Sequence, residues 1–201
     1  MDDVYKYTDL KWRLENIPEE AAVRGLFLNM LDERAAEFGP DVQKAYRDFF
    51  KSHKFSAFSM YGVKDYLIRM TKLAQLAFGG PDIYRGVYQI QGATFPAVRR
   101  TLIGRAWFAL FGNDFTGILK NMSGKWRSVS NYGLIEMSGG APDYQLRFQD
   151  QYVYIEHAMA GSVAGAAKVC GLEVHLDVRL TDAFNGNMAV HVQPAQSLVT
   201  P

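Results

Sequence analysis

The sequence predicts an α+β domain in which an N-terminal helical layer packs on a C-terminal antiparallel β-β-α-β-β layer. Three observations predict it. Apolar residues recur every three or four positions from about residue 18 to 122, the mark of helices with one buried face. From about residue 128 the spacing changes to strict alternation, the mark of half-buried strands. Helices segregated from an antiparallel sheet are the α+β arrangement. No repeat, low-complexity tract or long linker divides the chain. Residues 1–17 read as a polar N-terminal extension, 18–193 as one domain (18–122 helical, 123–193 sheet), and 194–201 as a tail.

Each element has a local reason. In the extension, Trp12 and Leu14 are the candidate anchors. Pro18 followed by Glu19 and Glu20 suits a helix start, with acids at the positive end of the dipole. Val23, Phe27, Met30, Leu31 and Ala35 then predict a helix over 22–38, ended by Gly39-Pro40. Asp41 caps a short helix over 42–50. Val63, Tyr66, Leu67, Met70, Leu73, Ala74 and Ala77 form a wide apolar stripe, stopped by Gly79-Gly80-Pro81. Ile83, Val87 and Ile90 hold one face of the next helix. Residues 95–111 predict another, and Asp114 caps a short one reaching Met122. Residues 128–137 read as a strand, and Tyr144, Leu146 and Phe148 alternate in a second. Residues 156–170 are rich in small residues and helical. Val174, Leu176, Val178 and Leu180 alternate, and the Asn185-Gly186 turn leads into Met188, Val190 and Val192, a final hairpin.

Bulk composition excludes several functions. A chain of 201 residues with 48% hydrophobic content buries roughly 70% of its unfolded surface and needs no disulfide or metal to hold a core. The net charge of +1 provides no long-range field for nucleic acid. The single cysteine, Cys170, makes neither an internal disulfide nor a cysteine-rich zinc site. No apolar run approaches the ~18 residues a membrane span needs, and the acidic, polar start is unlike a signal peptide, so a cytoplasmic location is expected. Aromatic residues reach 13%, enough to line a pocket or an interface with rings.

Chemical motifs are sparse. His175 and His191 fall at polar positions of neighbouring strands with Asp177 on the same face, the weak candidates for a metal site, which needs a third ligand. Gly161-Ser162-Val163-Ala164-Gly165 lacks the spacing of a nucleophile elbow and reads as a small-residue face that lets a helix pack closely on the sheet. There is no phosphate-cradling glycine motif. Arg99-Arg100, Arg105, Lys120, Lys125 and Arg127 interleave with Trp107 and Trp126 as short basic groups. The chain is expected not to be an enzyme.

Four stretches carry a family resemblance: Val23-Arg24-Gly25-Leu26-Phe27-Leu28-Asn29, Gly62-Val63-Lys64-Asp65-Tyr66-Leu67, Trp126 through Tyr132-Gly133, and Gly161 with Gly165 ending at Cys170-Gly171. In this order, over residues 17–193, they resemble a family of unknown function with many paralogues, mainly myxobacterial. That family is similar to haem-NO-binding, V4R and TRAPP-type domains. The resemblance implies a sensory or scaffold domain that holds a small molecule, acyl chain or protein partner between its layers. The haem-binding branch requires a histidine in the helix before the sheet and a Tyr-x-Ser-x-Arg motif. Residues 95–111 contain no histidine and Trp126-Arg127-Ser128-Val129-Ser130 departs from the motif, so no cofactor is predicted and haem in the usual mode is not expected.

The expected function is therefore a ligand-binding sensory domain for a small hydrophobic or amphipathic molecule. Tyr66, Phe95, Trp107, Phe111 and Tyr132 are the expected walls, and Arg99, Arg105 or Arg127 the anchor for an acidic head group. The alternative is a homodimeric protein-interaction scaffold using the stripe over residues 63–77.

Overall fold

The computed structural model describes residues 9–51, 54–79, 83–100 and 114–194. The described residues begin with a helix within the expected polar lead-in. In α1 (Leu10–Asn16) the Asp9 carboxylate accepts from the backbone N–H groups of Lys11 and Trp12, supplying the cap that a helix start lacks. Seven residues are too few to show a periodicity, and what fixes α1 is the fully buried Arg13 with Trp12 stacked on Phe184 at 5.7 Å.

Residues 22–24 differ from expectation as well. They form β1 (Ala22–Arg24), paired antiparallel with β2 (Met60–Gly62), so the first long helix, α2 (Gly25–Glu37), begins three residues later than its periodicity predicts. Gly25 is required at that junction, because a Cβ there would lie 2.3 Å from the Ser56 carbonyl oxygen. Helices α3 (Pro40–Phe50) and α4 (Val63–Phe78) follow. The wide stripe of α4 is spent inside the molecule. Val63, Tyr66, Leu67, Met70, Leu73 and Ala74 are all buried, with α2, α3 and α5 (Ile83–Gly92) packed around the helix. Ala77, at the end of the stripe, is half-buried. Helix α6 (Thr94–Arg100) begins the segment expected over 95–111, whose remainder lies outside the described residues.

Helix α7 (Phe115–Val129) is capped by Asp114, whose carboxylate accepts from the N–H of Gly117 at 2.8 Å. It runs seven residues past its expected end and takes residues 128–129 from the expected strand. The helical period wins there because Phe115, Ile118, Leu119, Met122 and Trp126 continue one inward face, and the Trp126 indole N–H donates to the Tyr132 carbonyl at 2.9 Å. The first long strand is consequently β3 (Leu134–Gly140).

The C-terminal layer has the expected order. Strand β4 (Asp143–Gln149) alternates buried Tyr144, Leu146 and Phe148 with exposed neighbours. A π turn (Ile155–Met159) leads into α8 (Ala160–Val169), and β5 (Leu172–Leu180) and β6 (Gly186–Pro194) close an antiparallel sheet of order β3-β4-β6-β5. The small-residue face of α8 meets a helix, not the sheet as expected. A Cβ on Gly161 would lie 2.3 Å from the Tyr88 carbonyl oxygen, and one on Gly165 would lie 2.2 Å from that of Gly92. Backbone-to-backbone approach of α8 and α5 is thus what those glycines permit. The opposite side of α8 lies against β5. One continuous core runs from Leu67 and Ile90 in the helices to Leu146, Met188 and Val190 in the sheet. Among the described residues no helix is long and apolar enough to cross a membrane.

Candidate functional site

Where α8 is drawn against α5, the side chains of α2, α6 and α7 do not close the remaining space. A cavity of about 400 Å³ is left between these helices and the π turn. Its wall is mostly apolar: Phe27 and Met30 from α2, Phe95 from α6, Met122 and Trp126 from α7, and Met159 at the end of the π turn. Rings bring rigid area, and methionines bring adaptable, polarizable surface. The volume is within the ordinary range for small-molecule sites.

Two polar side chains interrupt the apolar lining at depth. Tyr66 and Gln91 are 5% and 6% exposed. The Gln91 amide donates to the Tyr66 hydroxyl oxygen at 2.7 Å and to the Met70 sulfur at 3.1 Å. The Ser162 hydroxyl donates to the Ala158 carbonyl at 3.0 Å and stands 3.5 Å from the Gln91 carbonyl oxygen. Burial pushes the Tyr66 phenol above its ordinary range, partly offset by the Gln91 hydrogen bond, so it stays an O–H donor. The Phe27 ring lies 6.0 Å from that of Tyr66, which puts the polar pair near the start of α2. Three charged residues also line the cavity: Glu33 and Arg34, one to two turns further along α2, with Arg34 ion-paired to Glu37, and Lys125 on α7.

The other side of the π turn has the opposite character. Glu156 and His157 meet Arg13, whose guanidinium lies 3.9 Å from a Glu156 carboxylate oxygen, 4.4 Å from the Tyr154 ring centroid and 3.3 Å from the Tyr152 carbonyl it donates to. Burial pushes the Glu156 carboxyl up, against the pull of Arg13. Burial, with Arg13 adding to it, brings His157 down to about 4, so its ring, stacked on Tyr84 at 5.1 Å, is neutral at pH 7.

The expected site residues divide. Tyr66 and Phe95 line the cavity. Arg99 does not; its guanidinium donates to the Val169 carbonyl at 2.7 Å, at the last turn of α8. Arg127 donates to the Asn131 carbonyl at 2.9 Å and lines a separate, shallower cleft of about 210 Å³. Tyr132 lines that cleft too, packed between Trp126 and Tyr152. Arg105, Trp107 and Phe111 fall outside the described residues. Gln91, Ser162, Phe27 and the methionines were not anticipated. The signal for Gln91 was present, since it adjoins the apolar face of Val87 and Ile90 and is a polar group with no exposed side to turn to.

The metal candidates do not assemble. His175 and His191 are cross-strand neighbours, as the alternation implies. But His191 is hydrogen-bonded to Asp143 at 2.7 Å, and Asp177 is ion-paired with Arg179 at 2.9 Å. Among the described residues no group of three or more His, Cys, Asp or Glu could hold an ion. Burial raises the Cys170 thiol, which does not favour a reactive thiolate.

This architecture is that of the H-NOX fold. The chain is similar to the H-NOX domain of Shewanella oneidensis in its Fe(II)CO ligation state, with 13% identity, a TM-score of 0.67, and 85% of this chain and 98% of that one covered. It is similar to an H-NOX protein from S. oneidensis in the Fe(II)NO ligation state at 15% identity and a TM-score of 0.64, covering 85% and 99% of the two chains. The unliganded Fe(II) H-NOX protein of K. algicida matches at 11% identity and a TM-score of 0.61, covering 89% and 100%. A family profile, "Protein of unknown function (DUF2378)", matches residues 17–185, and the chain belongs to that family. Among curated protein sequences nothing matches.

Proposed function

We propose that this chain is a non-enzymatic, small-molecule-binding sensory domain whose ligand occupies the cavity between α2, α5, α6, α7 and α8. The observation that carries the reading is the cavity itself. A mostly apolar cavity of about 400 Å³, partly open to solvent, leaves its apolar walls short of dispersion contacts, and an apolar ligand supplies them. The H-NOX fold supports the reading, because two structures that share it are in Fe(II)NO and unliganded Fe(II) states.

Haem does not suit the residues that line this cavity. Its usual protein ligands are imidazole, thiolate, thioether or phenolate. The described lining has no histidine and no cysteine, residues 101–113 contain no His, Cys, Met or Tyr, and His53, Tyr5 and Tyr7 lie outside the described residues. The phenol that does line it, Tyr66, has its oxygen engaged by the Gln91 amide at 2.7 Å. Methionine alone is a weak anchor for iron. The ligand is therefore read as organic and free of iron.

Native mass spectrometry of the protein as purified from its own cells tests this. The expected result is one small organic molecule per chain, lost on denaturing extraction, with no Soret absorbance. A Soret band at one haem per chain would overturn the iron-free clause. An empty protein that also takes up no apolar probe would overturn the sensor reading and leave a scaffold role.

A further inference from the structure

We infer that the cavity selects a neutral amphipath ending in one group that both donates and accepts a hydrogen bond, a hydroxyl or a primary amide, seated on Tyr66 and Gln91. The inference rests on the ligand-binding reading above and narrows it. It follows from the hydrogen bonds left unmade at the deep end. Both N–H groups of the Gln91 amide are used, one on the Tyr66 oxygen at 2.7 Å and one on the Met70 sulfur at 3.1 Å. The Tyr66 hydroxyl thus accepts from Gln91, while its own proton meets no acceptor among the described residues. The Gln91 carbonyl oxygen is approached only by the Ser162 hydroxyl at 3.5 Å, whose single proton already goes to the Ala158 carbonyl at 3.0 Å. One O–H donor and one C=O acceptor therefore stand side by side, on residues 5% and 6% exposed that both line the cavity. Buried polar groups are rarely left unpaired. A ligand hydroxyl accepts from Tyr66 and donates to Gln91, and a primary amide does the same.

Charged ends fit worse. A carboxylate accepts but cannot donate to the Gln91 carbonyl oxygen, and neither described cation of the lining, Arg34 on α2 or Lys125 on α7, is hydrogen-bonded to Tyr66 or Gln91. Arg34 is seven residues beyond Phe27, about 10 Å along α2, is engaged with Glu37, and has Glu33 beside it. An ammonium donates only, and the carboxylate among the described lining residues, Glu33, is six residues beyond Phe27 on α2. The apolar body would lie along Phe27, Phe95, Met122 and Met159.

The test uses the full chain, stripped of bound molecules, titrated calorimetrically with octan-1-ol, octanamide, 1-methoxyheptane and octanoate. The alcohol and the ether have equal size, but the ether can only accept. We expect the alcohol and the amide to bind about tenfold or more tightly than the ether and the octanoate, the scale of one buried hydrogen bond. Gln91→Met should bring the alcohol to within about threefold of the ether. Tyr66→Phe, which keeps the ring and its packing, should weaken alcohol and ether alike, by about tenfold. Equal binding of alcohol and ether by the unaltered chain would overturn the head-group inference and leave the cavity reading intact, as would octanoate binding best. Binding of none of the four would overturn both.

Discussion

The two sides of the π turn over Ile155–Met159 differ more than any other neighbouring regions of the molecule. Ala158 and Met159 line the mostly apolar cavity, whereas Glu156 and His157 lie beside a buried charge, Arg13. Apolar walls tolerate a void, because what is lost is dispersion spread over many weak contacts. A buried charge does not tolerate a missing partner, because the desolvation cost falls on one group. One five-residue turn thus has a mostly apolar cavity on one side and, on the other, a buried charge pair in which both Glu156 carboxylate oxygens lack a hydrogen-bond partner among the described residues. The turn is expected to be held from the Arg13 side, through the Tyr152 carbonyl and Glu156.

Breaking the charged side should have the largest effect. Arg13→Ala leaves Glu156 buried without its partner and removes the cation above Tyr154. A loss of about 3 kcal/mol or more is expected for a broken buried pair, read as a shift in the urea midpoint at constant slope. Pairing Arg13→Met with Glu156→Gln should recover most of that loss, since no lone charge remains. If Arg13→Ala unfolds at the unaltered midpoint, the charged side is not what holds the turn.

The same side should be sensitive to acid. His157 falls from its ordinary 6.5 to about 4 through burial and then Arg13. The folded chain therefore binds fewer protons than the unfolded chain between those values. The stability this confers is complete above about pH 6.5 and is lost as the pH falls toward 4, by up to about 3 kcal/mol. Glu156 works in the opposite sense. Its raised folded pKa contributes stability at low pH that is lost as the pH rises through that value, and this softens the acid loss. His157→Gln should flatten stability between pH 6.5 and 4. A variant with the unaltered slope would assign the acid sensitivity elsewhere.

Much of the frame was legible in the sequence, and the contrast across the π turn was not. The alternation of Tyr144, Leu146 and Phe148, and the Asn185-Gly186 hairpin, could be read because a strand in a half-buried sheet has one rule per residue. Helix α4 could be read for the same reason at period 3.6. Helix α1 could not, since its anchor is a charged residue whose partner lies 143 positions away. Strands β1 and β2 are three residues each, below the length at which alternation means anything. The cavity was least legible, because a void is the space left between Phe27, Phe95, Trp126 and Met159, which four separate elements bring together. Aromatic content predicted rings around a pocket. It could not tell that Tyr132 and Arg127 line a different cleft from Tyr66.

The smallest expected change in stability sharpens the comparison most. Ala158→Leu places three additional carbon atoms on the cavity side of the turn, two residues from Glu156. If the space beside Ala158 is open, as its place in the lining implies, the added atoms fill void without displacing the core. Filling a void gains dispersion and burial, while any overpacking costs about 1–3 kcal/mol. With about 400 Å³ to enter, the two should nearly cancel, leaving the urea midpoint within about 1 kcal/mol of the unaltered chain. Ligand retention should nonetheless fall sharply, because the leucine occupies the volume the ligand requires. Native mass spectrometry and urea unfolding on the same preparation read both quantities. Stability kept and ligand lost would mark Ala158 as a wall of the site and the π turn as its frame. Stability lost with ligand retained would mean that the two sides of the turn are mechanically one, and that the ligand lies elsewhere.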